Sequence, residues 1–445
     1  MQMQQNDFDV LIAGAGPTGA TAALVLARGG VRVGVIERAA FPRFQIGESF
    51  IPFGAKLLED LGLMDRLKDL PHMPKRGAEF AMGGTLKGQF YRFADAMVRD
   101  PYQAFNIGRA EFDKMVLDAA IEAGATTILP STIREIGRLA DDDVAVVTEK
   151  GKRFTARYLI DATGAATLVG RHLGIRRMLD NKHLRKVAYF EHFENVKRLE
   201  GDLEGTLTIA MCEEGWFWII PLDKKTTSVG LVLEPEAAKR AGQPADRTLQ
   251  WGIERCPIVR DRMLHATGPE TNLVRGDFSY TCDPCAGPGY FLVGDAAFFL
   301  DPVFSTGVCL GMIGAVKTAE HLIDVIQRGK SIEKARRKYE QFVTGSTVWF
   351  KRLIELFYDH GFRELVLHGS GPFKVDRAVL TVLAGYVFPK PRFKVRWRFR
   401  LFEWMLSVHN KRRPLVPNRD HFSLFASDDE SDENAVHGDV AVSTA

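Results

Sequence analysis

Phe8-Asp9-Val10-Leu11-Ile12-Ala13 runs directly into Gly14-Ala15-Gly16-Pro17-Thr18-Gly19, and an alanine-rich stretch from Ala20 to Arg28 follows. The first six residues read as an apolar strand and the alanine-rich stretch as a helix, stopped by Gly29-Gly30. Val31-Arg32-Val33-Gly34-Val35-Ile36-Glu37 is then a second strand that finishes on an acid. The unit is β-α-β. Its glycines let the turn close and let the backbone approach a pyrophosphate, while the helix N-terminus offers amide donors and the positive end of its dipole. Glu37 stands where an acid accepts hydrogen bonds from a ribose diol. A dinucleotide site on Gly14, Gly16, Pro17, Thr18, Gly19 and Glu37 is therefore predicted.

At 445 residues the chain exceeds one small core, and a prior of ~150 residues per domain gives two or three units sharing an interface. A cofactor cleft between them is expected. With 46% hydrophobic residues, 26% charged residues and a net charge of +3, no global field calls for nucleic acid or membrane. The polar start has no basic segment followed by an apolar one, and no uncharged apolar run reaches membrane-spanning length, so neither a secretory signal nor an integral membrane segment is expected. Five cysteines (Cys212, Cys256, Cys282, Cys285 and Cys309) suit a reducing, cytoplasmic setting. Cys282-Asp283-Pro284-Cys285 lacks the further ligands that tetrahedral zinc needs, so no metal is expected.

Three further stretches bear on which dinucleotide is bound. Asn106-Ile107-Gly108-Arg109-Ala110-Glu111-Phe112-Asp113 opens an amphipathic helix. Tyr158-Leu159-Ile160-Asp161-Ala162-Thr163-Gly164 and Phe291-Leu292-Val293-Gly294-Asp295-Ala296-Ala297 are apolar strands ending in tight turns. Together with the N-terminal unit they resemble the FAD-dependent monooxygenase and halogenase superfamily. That resemblance implies an α/β fold, a glutathione-reductase-like FAD-binding Rossmann fold, with Arg109 and Asp295 near the phosphates or ribityl chain. No second G-x-G-x-x-G follows a strand, so no dedicated nicotinamide-binding domain is visible.

Alternating segments such as Thr206-Leu207-Thr208-Ile209-Ala210-Met211 and Ser228-Val229-Gly230-Leu231-Val232-Leu233 suit an antiparallel sheet on the substrate side. The expected organisation is interleaved. An FAD-binding domain takes residues 7–180 plus 270–330, and a substrate-side β-sheet region takes 60–105 and 181–269. A helical C-terminal cap follows over 331–420 and a disordered acidic tail over 427–445. Within the cap, the stretch from Arg392 to Phe402 alternates basic and apolar residues. It is either a basic face for an acidic partner or membrane surface, or a set of long stems covering the protein's own aromatics.

Trp216-Phe217-Trp218-Ile219-Ile220-Pro221 is a W-x-W-x-I-P segment. Indoles at alternate positions of a strand share a face and can wall the space between a flavin and a second pocket. The segment is similar to the signature of flavin-dependent halogenases, and three more stretches carry the same resemblance. These are Phe41 to Pro52, which contains Arg43 and Ser49, then Pro74-Lys75-Arg76-Gly77-Ala78-Glu79-Phe80, and Asp301-Pro302-Val303-Phe304-Ser305-Thr306-Gly307-Val308.

The resemblance implies that Lys75, Trp216 and Trp218 are catalytic. It places Arg43, Ser49, Pro302, Gly307 and Val308 at the cofactor and gives halide to the amides of Thr306 and Gly307. Reduced FAD and oxygen would turn chloride or bromide into hypohalous acid, which Lys75 would hold or carry as a haloamine. Halogenases of free tryptophan carry a glutamate where Phe304 stands, so Phe304 is a wall of the substrate pocket, a shield for the halide site, or simple packing. The implied substrate is an electron-rich phenol or pyrrole, free or tethered to a carrier protein, with reduced flavin supplied by a separate NAD(P)H-dependent flavin reductase. Glu48, Glu79, His72 and His192 are left undecided. An FAD-dependent aromatic hydroxylase and a non-catalytic FAD-binding protein are the alternatives.

Overall fold

The computed structural model describes residues 6–98, 103–179, 185–276, 279–388, 390–412, 414–417 and 421–426. The acidic tail expected at 427–445 lies outside them. Strand Phe8–Ala13 runs parallel to Arg153–Asp161 on one side and to Val33–Ile36 on the other. Thr126–Ile128 and Tyr290–Leu292 extend this parallel sheet in the two directions, and the antiparallel strands Ile133–Ala140, Asp143–Thr148 and Ala286–Gly287 complete it. Val10, Leu11 and Ile12 have no exposed surface, as expected of a central parallel strand covered on both faces. Helix Pro17–Arg28 packs against both Arg109–Glu122 and Gly307–Arg328, so the last of these, far along the chain, completes the nucleotide fold.

The turn after the first strand needs its glycines for two separate reasons. Gly14 has φ +96°, and a Cβ there would lie 2.5 Å from the Ala162 carbonyl oxygen. At Gly19 a Cβ would lie 1.9 Å from the Gly14 carbonyl oxygen, so helix and strand meet backbone to backbone.

A second sheet of seven strands has the order Leu273–Arg275, Val187–Glu194, Thr226–Leu233, Gly215–Pro221, Leu207–Cys212, Gly77–Met82, Gln89–Arg92. An antiparallel sheet is expected from the sequence, and one pairing differs: Leu207–Cys212 runs parallel to Gly77–Met82, with Leu207 opposite Ala78. The sheet is assembled from two separate chain segments, and the parallel pair is where they join. Alternation along Gly215–Pro221 sends Trp216, Trp218 and Ile220 into one apolar cluster and Phe217 and Ile219 into another with Leu249 and Trp251.

The C-terminal region is helical over Ile332–Phe357, His360–His368, Val375–Leu383 and Phe393–Lys411. In Phe393–Lys411 the residues Val395, Phe399, Phe402 and Leu406 are buried at helical spacing, while Lys394 and Arg400 are exposed. The basic-apolar alternation is thus a helix with its apolar stripe turned inward. All five cysteines are free and buried. Among the described residues no cluster of His, Cys, Asp or Glu could hold a metal, and no helix is long and apolar enough to cross a membrane.

Gly19→Ala should lower stability by roughly 1–3 kcal/mol, since backbone on both sides of the contact cannot rotate away. The matched control is Gly345, inside helix Ile332–Phe357, where an added methyl would meet nothing within 4 Å, and Gly345→Ala should be neutral or stabilising. Denaturant midpoints of the two variants check this, and an unchanged midpoint for Gly19→Ala would contradict the close approach.

Candidate active site

A cavity of about 990 Å³ lies between the nucleotide fold and the second sheet. Gly14, Gly16, Pro17, Thr18, Glu37, Arg43, Ser49, Arg109 and Asp295 all line it, and so do Trp216, Trp218, Pro302, Thr306, Gly307 and Val308. Gly19 supports the turn from behind, as its contact with Gly14 shows. Lys75 and Phe304 are outside the cavity wall.

The residues at the turn fit an FAD. Helix Pro17–Arg28 starts at Gly16 without a side-chain cap, which leaves its first amides available to an anion. Glu37 accepts the Ala15 amide at 2.8 Å through one oxygen and the Ala39 amide at 2.9 Å through the other. Each oxygen keeps a lone pair for a ribose hydroxyl. Arg109 grips the buried Asp113 with Nε at 2.7 Å and Nη2 at 3.1 Å, and Arg43 approaches the same carboxylate at 3.4 Å. Two guanidinium groups share one carboxylate, so this wall keeps an excess positive charge suited to a diphosphate. Burial raises the Asp295 carboxyl to about 6, with Arg109 and Arg275 opposing the shift.

Lys75 ends the short strand His72–Lys75, which pairs antiparallel with Ala104–Ile107. It is 2% exposed. Its Nζ donates to Ser49 Oγ at 2.9 Å and to the Phe50 carbonyl at 3.1 Å, and lies 5.4 Å from the centre of the Phe93 ring. Desolvation without a carboxylate in that set lowers its pKa to about 7. Ser49 Oγ donates in turn to Asn106 Oδ1 at 2.7 Å, and Asn106 Nδ2 donates to the carbonyls of Gly205 at 2.9 Å and Pro221 at 3.0 Å. Ser49 therefore touches both the cavity and the lysine.

The indoles of Trp216 and Trp218 lie 5.9 Å apart, inclined at 50°. Trp218 Nε1 donates to Ser228 Oγ at 3.1 Å, and a Cβ at Gly230 would lie 2.2 Å from its ring, so that glycine seats the indole. Trp216 Nε1 donates to Tyr358 Oη at 3.2 Å. In the loop before helix Gly307–Arg328, Ser305 has φ +56° and Thr306 is the N-cap. Phe304 is 5% exposed and meets Phe357 edge-on at 5.6 Å, a packing position.

The undecided residues divide. Glu48 lines the cavity and bonds His192 Nε2 at 2.6 Å. Burial opposes the charge on His192, but the hydrogen bond and charge of Glu48 outweigh it and hold the imidazole pKa above its ordinary value. Glu79 is committed to Thr208 at 2.7 Å and Arg262 at 3.3 Å, a structural pairing. His72 bonds the Leu70 carbonyl through Nδ1 at 2.8 Å. Sequence reading assigned no role to Asn106, Asp113, Asp301 or Tyr358. The first three stand inside quoted motifs, but Tyr358 lies beyond all of them.

A glycine turn, a ribose acid and a flavin-sized cavity define an FAD-binding protein, and the family model of the FAD binding domain matches residues 7–342. A tryptophan 2-halogenase of Chondromyces crocatus is 30% identical over 361 residues, 79% of this chain and 67% of that protein. The 1H-pyrrole-2-carbonyl-[peptidyl-carrier protein] chlorinase of Pseudomonas fluorescens is 25% identical, with 89% of this chain and 93% of that protein covered. Among solved structures, the myxobacterial chondrochloren halogenase CndH superposes with TM-score 0.71 at 29% identity, over 94% of both chains. The chain belongs to the flavin-dependent halogenases, oxidoreductases that use FAD, halide and oxygen.

The low lysine pKa carries a stability signature. Below pH ~7 both folded and unfolded Lys75 are protonated; between ~7 and ~10.5 only the unfolded state holds the proton, so stability should rise with pH across that window. Denaturant unfolding of the wild type and Lys75→Met at pH 6, 8 and 10 should show the wild type gaining on the variant as pH rises. A difference that stays constant would mean that Lys75 titrates normally.

Proposed function

We propose that the chain chlorinates or brominates an electron-rich aromatic ring such as a phenol or pyrrole, free or tethered to a carrier protein, with Lys75 presenting the oxidised halogen. The observation that carries this reading is a buried amine held by a serine hydroxyl and a carbonyl, one residue away from the flavin cavity and with a pKa of about 7. The carrier-tethered alternative draws on the chlorinase above and on a 1H-pyrrole-2-carbonyl-[peptidyl-carrier protein] brominase of Pseudoalteromonas luteoviolacea, 28% identical over 72% of this chain.

Reduced FAD with oxygen supplies the electrophilic oxygen that converts halide into hypohalous acid. The amides of Thr306 and Gly307 hold the halide at the start of helix Gly307–Arg328, where the dipole is positive. Trp216 and Trp218 close the adjoining wall and keep the aromatic substrate away from the flavin. Ser49 accepts a hydrogen bond from Lys75, which fixes the amine just outside the cavity that Ser49 lines. Protonated, the amine donates to the oxygen of hypohalous acid. Neutral, its nitrogen takes the halogen as the O–halogen bond breaks, and the proton it sheds joins the departing hydroxide as water, leaving a haloamine; both forms coexist near pH 7. The ring then takes the halogen and loses a proton. Phe304 backs the pocket through Phe357 rather than offering a carboxylate, so ring activation falls to the substrate's own oxygen or nitrogen. Reduced FAD comes from a separate NAD(P)H-dependent reductase.

Photoreduced holoenzyme mixed with oxygenated buffer, bromide, catalase and a phenolic probe should give brominated probe by mass spectrometry. Lys75→Ala should cut the yield about 100-fold or more while flavin oxidation continues. Hydroxylated probe, or peroxide as the only product, would move the hydroxylase or non-catalytic reading ahead.

A further inference from the structure

The C-terminal cap reaches the site at two adjacent residues. Phe357 ends helix Ile332–Phe357, and its ring stands edge-on to Trp216 at 6.2 Å and to Phe304 at 5.6 Å. Tyr358 follows. Its Oη accepts the Trp216 indole N–H at 3.2 Å and donates to Asp301 Oδ2 at 2.7 Å. Asp301 Oδ1 accepts the Val303 amide at 2.9 Å, and Lys186 Nζ lies 4.2 Å from the centre of the Tyr358 ring. One hydroxyl thus joins the cavity-facing tryptophan to the loop that leads into Thr306 and Gly307.

That loop needs such a tie. Ser305 sits in the left-handed region at φ +56°, a conformation that persists where surrounding contacts over-determine it. The Asp301 carboxylate fixes the loop's entry, and Tyr358 fixes the carboxylate. Burial and the neighbouring Asp301 charge raise the Tyr358 pKa well above that of a free phenol, so the hydroxyl remains a donor throughout the neutral range.

We propose that Tyr358 is a positioning residue for halide capture, holding the 301–306 loop through Asp301 and the tryptophan wall through Trp216 in one register. The assignment rests on Thr306 and Gly307 as the halide donors. It makes Tyr358, which lies beyond the matched FAD-binding region, residues 7–342, a support of the reaction centre.

Tyr358→Phe removes the hydroxyl and keeps the ring. Bromide binding to the oxidised holoenzyme, followed through the flavin difference spectrum, should weaken about tenfold, the scale of one lost hydrogen bond that leaves a buried acceptor unpaired. In turnover the KM for bromide should rise while flavin oxidation keeps its rate, and more peroxide should leave per brominated probe. FAD affinity should stay near wild type, with only a small drop in melting temperature from the lost buried hydrogen bond. Unchanged bromide affinity and unchanged coupling would overturn the proposal, as would a loss of FAD binding in step with bromide, which marks a merely structural residue. Wild-type enzyme that does not brominate the probe at all would instead sink the halogenation reading itself.

Discussion

The cavity is arranged around a contact in which no side chain takes part. Because a methyl at Gly19 would fall 1.9 Å from the Gly14 carbonyl oxygen, the first helix can begin against the end of the first strand. That closeness aims the helix's free amides at the space beyond the sheet and sets the floor of the cavity. Helix Gly307–Arg328 then packs on Pro17–Arg28, so the loop before it, carrying Pro302 and Thr306, is fixed relative to the same turn. Two helix starts that favour anions are thereby referred to a single backbone contact.

The proposed chemistry depends on separation as much as on proximity. Trp216 and Trp218 face the cavity, and Lys75 lies outside it, reached through Ser49. Burial pulls the amine's pKa down to about 7, and the hydroxyl and carbonyl that hold it do not restore it as a carboxylate would. Glu48 and His192 are bonded to each other at 2.6 Å beside the cavity, and Glu79 is committed to Arg262.

Much of the nucleotide half was legible because its signals are local. The strand, glycine turn, helix and Glu37 fall within thirty consecutive residues or so, and each has a steric reason that composition displays. The tryptophan strand was equally readable, since two-residue alternation fixes which side chains share a face. What escaped depends on partners far apart in sequence. Asn106 orients Ser49, 57 positions earlier, and Tyr358 reaches Trp216, 142 positions earlier. No periodicity marks such a pair. The parallel pairing of Leu207–Cys212 with Gly77–Met82 was hidden for the same reason, because strand alternation says which face is buried but not which neighbour lies alongside. The basic-apolar run in the cap had two readings, and burial of Val395, Phe399, Phe402 and Leu406 favours the packed one for that stripe.

A catalyst that generates a diffusible oxidant is exposed to its own product. Thiolates are the groups such an oxidant attacks first. All five cysteines are buried. Burial pushes Cys256, Cys285 and Cys309 up to about 12 and Cys282 to about 11, and Cys212 also well above the ordinary thiol value. Cys309 stands only two residues past Gly307, yet its sulfur faces the apolar core. The packing that stabilises the fold is therefore also chemical armour, keeping each sulfur out of the ionised form in which it would quench the reaction and be consumed by it.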